Sequence, residues 1–75
     1  MMVIVYSTPT CPYCSMVKEY LKNKNIPFSD IDVSQNITAA EEMIRKSGQS
    51  GVPVIDFNGQ IVIGFDRSKL DKLIK

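Results

Sequence analysis

Long apolar runs, histidine and an excess of charge of either sign are all missing from this sequence of 75 residues. Its longest apolar stretch, residues 1–6, is far shorter than the roughly 20 residues that a membrane-spanning helix needs, and no charged leader or cleavage site accompanies it. Nine basic against eight acidic residues give a net charge of +1, so there is no positive field to gather phosphates. We therefore expect a cytoplasmic protein that binds neither membranes nor nucleic acids.

Cysteine is scarce, since Cys11 and Cys14 are the only two. Two cysteines are too few for the disulfide framework of a small secreted domain, and a reducing cytosol disfavours a persistent structural disulfide. Without histidine or a third cysteine, one chain lacks the four ligands of a closed zinc site, so no metal site is expected within it. A metal or iron–sulfur cluster held between two chains stays open as an alternative.

The composition, 44% hydrophobic and 23% charged, is typical of a globular protein and predicts one domain over residues 1–75. The core should be thin, because a chain of this size buries only about 60% of its unfolded surface. Hydrophobic periodicity and turn signals predict the order βαβαββα, with a parallel pair and a terminal antiparallel hairpin in one mixed sheet. The predicted elements are a central strand at 2–6, a helix from the first cysteine to Asn23–Asn25, a half-exposed strand at 28–33, a helix that ends at Gly48, strands 54–57 and 60–63 around Asn58-Gly59, and a helix capped by Asp66.

The second helix has two competing start signals. Thr38 and Glu41 match a capping box, whereas Asn36 is an alternative cap. Its predicted apolar stripe consists of Ala40, Met43 and Ile44. Further side chains that we expect to be structural, in the core, are Tyr6, Met16, Met43 and Phe57.

The two cysteines lie where the first strand turns into the first helix. Free N–H groups and the positive end of the helix dipole face Cys11, so its thiolate is favoured over its thiol. Pro12 suits an early helical position, because its missing N–H would have been unpaired there. Cys14 lies nearly one turn further in, where we expect it to be more buried and able to attack a mixed disulfide at Cys11. Lys18 is about 10 Å from Cys11 along the helix and is not expected to stabilise it.

Two further segments have a structural interpretation, and the second also has a functional one. Val52-Pro53 precedes a strand, which fits a simple turn proline. Gly64-Phe65-Asp66 fits a bend with a helix cap, although a helix N-terminus at this point could also bind a carboxylate.

Cys-Pro-Tyr-Cys at residues 11–14, Val52-Pro53 and Gly64-Phe65-Asp66 occur in the order and spacing of the glutaredoxins, which this sequence resembles over essentially its whole length. The resemblance implies the thioredoxin fold, a cis peptide before Pro53, Cys11 as nucleophile and Cys14 as resolving thiol. It implies no permanently bound cofactor, glutathione as co-substrate and disulfide-containing proteins as partners. The glutathione-binding residues that it implies are Tyr13, Val52, Pro53, Gly64, Phe65 and Asp66.

Two positions depart from the glutaredoxin pattern. Thr8 stands where glutaredoxins carry a basic residue, and Ile63 replaces the first glycine of a Gly-Gly-x-Asp turn. The Gly-Phe step resembles the short redoxins that reduce ribonucleotide reductase and are recharged by thioredoxin reductase, whereas Pro12-Tyr13 resembles the glutathione users. We therefore expect a monomeric thiol–disulfide oxidoreductase recharged by glutathione or by thioredoxin reductase. A dimeric iron–sulfur carrier, with Cys11 and glutathione as ligands, is the alternative that is not an enzyme.

Overall fold

The computed structural model describes residues 2–74. The predicted order βαβαββα is confirmed, and both strands of the terminal hairpin have the predicted bounds. The elements are β1 (Val3–Ser7), α1 (Pro12–Asn23), β2 (Ser29–Asp32), α2 (Ile37–Ser47), β3 (Val54–Phe57), β4 (Gln60–Ile63) and α3 (Arg67–Ile74).

The four strands form one mixed sheet in the order β2-β1-β3-β4. Strand β1 is parallel to β2 and antiparallel to β3, and β3 pairs with β4 in antiparallel fashion. Tyr6 near the end of β1 is opposite Val54 at the start of β3, and Val54 is opposite Ile63 at the end of β4. The loop after β1, the segment before β3 and the segment after β4 therefore meet at one end of the sheet.

The hairpin between β3 and β4 forms for the local reason that its sequence indicates. Asn58 and Gly59 have φ of 52° and 95°, the pair of positive values that a two-residue hairpin turn of this type requires. The carboxylate of Asp56 accepts a hydrogen bond from the Gly59 N–H at 2.8 Å. The turn fixes the register of β4, which brings the residues after Ile63 back to the end of the sheet where β3 begins.

Both faces of β1 are covered, as the continuous apolar run predicts. The first of two core clusters contains Val3 and Val5 together with Val17 and Leu21 of α1 and Leu70 of α3. The second cluster lies on the other face and contains Tyr6, Ala39, Met43 and Val54. Phe57 is buried in the first cluster, so Tyr6, Met43 and Phe57 have the predicted core positions.

Helix α2 differs from the prediction at its start. Its N-cap is Asn36, whose side-chain oxygen accepts a hydrogen bond from the Ala39 N–H at 3.0 Å, so the capping box of Thr38 and Glu41 is not formed. Asn36 is a stronger cap than threonine in general, and here its side chain already bonds the third N–H of the helix.

The buried face of α2 also differs by one position. Ala39 and Met43 contact the sheet, whereas Ile44 is 44% exposed. Ala40 and Ile44 each follow a buried residue directly, and one residue of helix corresponds to a rotation of about 100°. Both residues therefore lie to one side of the face that meets the sheet. The predicted stripe of Ala40, Met43 and Ile44 is therefore wrong except at Met43.

Candidate active site

The sulfur of Cys11 lies at the N-terminus of α1. Cys11 is the N-cap residue, with extended backbone (φ −97°), and Pro12 follows in the first turn. The Cys14 N–H donates a hydrogen bond to Cys11 Sγ at 3.1 Å. The Cys11 thiol in turn lies 3.8 Å from the carbonyl oxygen of Val52, which accepts from it. Because a helix N-terminus directs unpaired N–H groups and positive potential at its cap, this arrangement favours negative charge on Cys11 Sγ.

The two thiols, both free in this structure, have different environments. Cys11 is half-buried, whereas Cys14 is 0% exposed. Burial, followed by the hydrogen bond with Cys11, raises the pKa of Cys14 to about 11, against the smaller opposing effects of the Thr8 N–H and the Lys18 charge. Cys14 therefore keeps its proton at neutral pH, while Cys11 is the one of the two thiols that solvent can reach.

The segment before β3 lies beside Cys11. The peptide bond between Val52 and Pro53 is cis, which confirms the expectation from the resemblance. The Gly64 N–H donates to the Pro53 carbonyl at 2.9 Å, and Gly64 has φ of 75°. The structure thus brings Cys11, Val52, Pro53 and Gly64 together at one end of the sheet.

The other residues predicted to bind glutathione have separate environments. Tyr13 is 60% exposed on the first turn of α1. Phe65 packs against the first core cluster and meets the Tyr20 ring edge-on at 5.9 Å between centroids. Asp66 accepts a hydrogen bond from the Lys69 N–H at 3.1 Å, so it has the predicted role of a cap on α3.

The positions that depart from the glutaredoxin pattern lie at the same end of the sheet. Ile63, the last residue of β4, is 53% exposed and pairs with Val54, directly after the cis proline. Thr8 is half-buried in the loop before α1, where its carbonyl accepts a hydrogen bond from the Cys11 N–H at 3.4 Å.

Met16 is 46% exposed on α1, so the prediction that it fills the core is wrong. Leu21 and Val17 already fill the space between that helix and the sheet.

Three polar residues near Cys14 were not predicted as part of the site. Lys18 Nζ lies 2.9 Å from Asp30 Oδ2, and the hydroxyl of the buried Ser7 donates to Asp30 Oδ1 at 2.6 Å. Burial opposes ionisation of Asp30, but the bonds from Ser7 and Lys18 outweigh it and hold its pKa below the ordinary value. The sequence contains one signal for this group, which is that Lys18 follows Cys14 by four residues and so shares its helix face.

No group of three or more histidine, cysteine, aspartate or glutamate side chains within residues 2–74 is placed to hold a metal ion. In the same range no helix is both long and apolar enough to cross a membrane. The iron–sulfur alternative requires ligands from two chains, so the geometry of one chain does not decide it.

A four-stranded mixed sheet with a Cys-x-x-Cys pair at the start of its first helix and a cis proline beside it defines the thioredoxin-fold thiol redox proteins. Within this class the chain belongs to the glutaredoxin family, whose family model matches residues 3–62. Membership of that family indicates thiol redox activity on disulfide substrates, together with a reductant partner.

Individual relatives cover almost the whole chain. It is 53% identical to a glutaredoxin-like 8.6 kDa protein in the rubredoxin operon of Clostridium pasteurianum, over 99% of each chain. Glutaredoxin 3 of Escherichia coli is 36% identical, with 97% of this chain and 96% of the relative covered. The solved structure of NrdH-redoxin from Escherichia coli superposes with a TM-score of 0.87 at 26% identity, covering 97% of this chain and 95% of the other.

Proposed function

We propose that this protein is a thiol–disulfide oxidoreductase in which Cys11 and Cys14 form the redox-active pair. The observation that carries the proposal is the asymmetry of the two thiols. Cys11 Sγ is accessible and accepts the Cys14 N–H at 3.1 Å, whereas the Cys14 side chain is fully buried directly behind it. An accessible sulfur at a helix N-terminus suits a nucleophile, and a buried thiol within reach suits the group that resolves the mixed disulfide.

The reaction is an exchange of sulfur–sulfur bonds. The Cys11 thiolate attacks one sulfur of a substrate disulfide, a bond forms between them, and the other half of the substrate leaves as a thiolate that takes up a proton from water. Cys14 then loses its proton and attacks Cys11 Sγ, which forms the Cys11–Cys14 disulfide and releases the rest of the substrate as a second thiol. Two electrons pass to the substrate, and a thiol reductant or a reductase must return them.

Cysteine variants test the two roles. Cys11→Ser should abolish turnover, because the nucleophile is lost. Cys14→Ser should accumulate mixed disulfides with protein substrates, visible by gel shift and mass spectrometry, while glutathione-linked turnover continues because glutathione can resolve the intermediate. Ser15→Ala, at an exposed position of the same helical turn, is the control that should keep full activity. An active Cys11→Ser variant contradicts the proposal.

The substrate class and the electron donor depend on the surroundings of Cys11. Glutathione as co-substrate would lie along Val52 and Pro53, near Tyr13 and the Gly64-Phe65-Asp66 turn. The Gly64 N–H is already bonded to the Pro53 carbonyl, however, so it is not free for a glutathione carboxylate. Each charge-assisted contact contributes about 1.5–3 kcal/mol, so the absence of one cation should weaken glutathione binding about tenfold or more.

A second candidate, a redoxin recharged by thioredoxin reductase and independent of glutathione, is supported by Thr8 and Ile63. The similarity to NrdH-redoxin, a glutaredoxin-like protein with a thioredoxin-like activity profile, supports it too. NADPH oxidation with a disulfide substrate should be compared with glutathione plus glutathione reductase and with thioredoxin reductase. Turnover with thioredoxin reductase alone favours this candidate, and turnover with glutathione alone refutes it.

A charge variant sharpens the same comparison. Thr8→Lys restores the cation beside Cys11 and should raise the glutathione-linked rate at low glutathione about tenfold. Thr38→Lys adds the same charge at an exposed position on α2 and should leave the rate unchanged. Equal rates for the two variants would contradict a role for charge at Thr8.

Visible absorption of protein purified without oxygen would instead support the iron–sulfur carrier.

A further inference from the structure

The resolving step requires that a fully buried thiol lose its proton. Cys14 has no exposed surface, so water cannot solvate its thiolate. Burial of an anion without a hydrogen bond or an opposite charge costs a large free energy. The thiolate must therefore be stabilised by groups of the protein. One is the backbone of Thr8, which lowers the pKa of the Cys14 thiol.

The second is a charge on the same helix face. Lys18 follows Cys14 by four residues on α1, a spacing that places two side chains side by side with about 5–6 Å between their Cβ atoms. A free lysine in this position would extend into solvent. Here its ammonium is bonded to Asp30 of β2 at 2.9 Å, and Asp30 is itself bonded to the buried Ser7 of β1 at 2.6 Å.

Few charged side chains lie near Cys14 in the part of the chain that the structure describes. Within residues 2–74, Lys18 faces it from its own helix, Asp30 comes from β2 on the same face of the sheet, and β1 contributes the neutral Ser7 there. Asp32 of β2, further along that face, bonds to the Ser34 hydroxyl and N–H. The carboxylates from β3 onwards are bonded elsewhere: Asp56 to Lys46 on the opposite face, Asp66 to the Lys69 N–H, and Asp71 to the Tyr20 hydroxyl.

We propose that Lys18 stabilises the Cys14 thiolate during the resolving step, and that Asp30 and Ser7 are positioning residues that hold the Lys18 ammonium against the sheet. The proposal rests on the role of Cys14 given above. No new bond is made by Lys18: the proton of Cys14 leaves, the thiolate attacks Cys11 Sγ, and the released substrate thiolate takes up a proton. Lys18 keeps its own proton throughout, and its positive charge lowers the energy of the anion between the two events.

The resolving step can be observed directly with one equivalent of the chromogenic disulfide dithionitrobenzoate. Attack by Cys11 releases a first coloured thionitrobenzoate anion, and attack by Cys14 on the mixed disulfide releases a second. The second phase is independent of concentration, so stopped-flow traces separate it from the first. Its rate against pH reports the ionisation of Cys14 in the wild-type protein.

Lys18→Met should move the midpoint of that profile to higher pH, by up to about one unit, and leave the first phase unchanged. A rise of one unit in the pKa of Cys14 lowers the thiolate fraction tenfold at neutral pH. The more basic thiolate is also more nucleophilic, with a Brønsted exponent of about 0.4–0.5, so the net loss is roughly threefold. Above the midpoint, for the same reason, the variant should equal or exceed the wild-type rate. A purely structural defect would slow the reaction at every pH.

Matched variants complete the test. Lys22→Met removes the same charge one turn further along α1 and should leave the midpoint unchanged, and Lys18→Arg should restore most of the wild-type profile. In an Asp30→Asn background, Lys18→Met should have a smaller effect, because the ammonium is no longer held. The proposal is overturned if Lys18→Met keeps the wild-type midpoint, if Lys22→Met shifts it equally, or if the Asp30→Asn background leaves the effect undiminished. A wild-type protein without a second phase would refute the role of Cys14 itself.

Discussion

Alkaline solution should destabilise the reduced protein through Cys14. Its thiol is fully buried, and burial raises the pKa of Cys14 from 9.0 to about 11. In the unfolded chain the thiol is solvated and ionises near its ordinary value. The folded state therefore holds this proton more tightly than the unfolded state, and its contribution to stability is fully present below the lower value and is lost as pH rises towards the higher one.

The size of the effect follows from the two pKa values of Cys14. One unit of pKa difference corresponds to about 1.4 kcal/mol, so the whole titration should lower the free energy of unfolding by about 3 kcal/mol. About 2 kcal/mol of this loss should fall between the two pKa values, roughly 1 kcal/mol per pH unit. Small domains have stabilities of about 5–15 kcal/mol. The loss is therefore large enough to shift a urea unfolding curve clearly.

The measurement compares reduced wild type with Cys14→Ala by urea unfolding at about pH 8 and about pH 10, in a reductant that contains no thiol. The variant loses packing at both pH values but has no thiol to ionise. Tyr6, Tyr20 and Lys46 also have raised pKa values, and they are present in both proteins, so their alkaline contributions cancel in the comparison. Stability differences between the two proteins that are equal at both pH values would refute the reasoning.

Three further predictions concern the fold and can be checked by chemical denaturation. Despite burial, the bond from Lys46 holds the pKa of Asp56 below its ordinary value, so stability should fall as pH drops below about 4, and less steeply in Asp56→Asn. Leu21→Ala, at a fully buried position, should cost about 2–5 kcal/mol, and Leu73→Ala at the partly buried edge of the same cluster should cost less. Gly59→Ala should cost about 1 kcal/mol through its positive φ alone, since nothing lies within 4 Å of the new Cβ.

The features that the sequence predicts correctly depend on close neighbours in the chain. Asn58-Gly59 specifies its hairpin because the two residues themselves supply the positive φ values. Cys11 lies at a helix start because Pro12 follows it and the turn residues precede it. In both cases the deciding contacts are within about four residues, and a linear pattern contains them.

The features that were predicted wrongly or not at all depend on contacts between distant segments. Ile44 is apolar and has helical spacing, yet the sheet meets the neighbouring face of α2. The bond between Asp30 and Ser7 requires β1 and β2 to pair in parallel with Val5 opposite Asp30, and the two residues are 23 positions apart in sequence. Periodicity shows that an element has an apolar face but does not show which partner will meet it.

The spacing of the two cysteines relates directly to how α1 begins. A cap residue accepts the N–H of the residue three positions later, and in this chain that residue is Cys14. The group that favours charge on Cys11 Sγ is thus the backbone of Cys14 and not its side chain. Cys14→Ser should therefore keep a reactive Cys11, alkylated by iodoacetamide at close to the wild-type rate at neutral pH. A strongly slower reaction would mean that the Cys14 thiol, and not its N–H, activates Cys11.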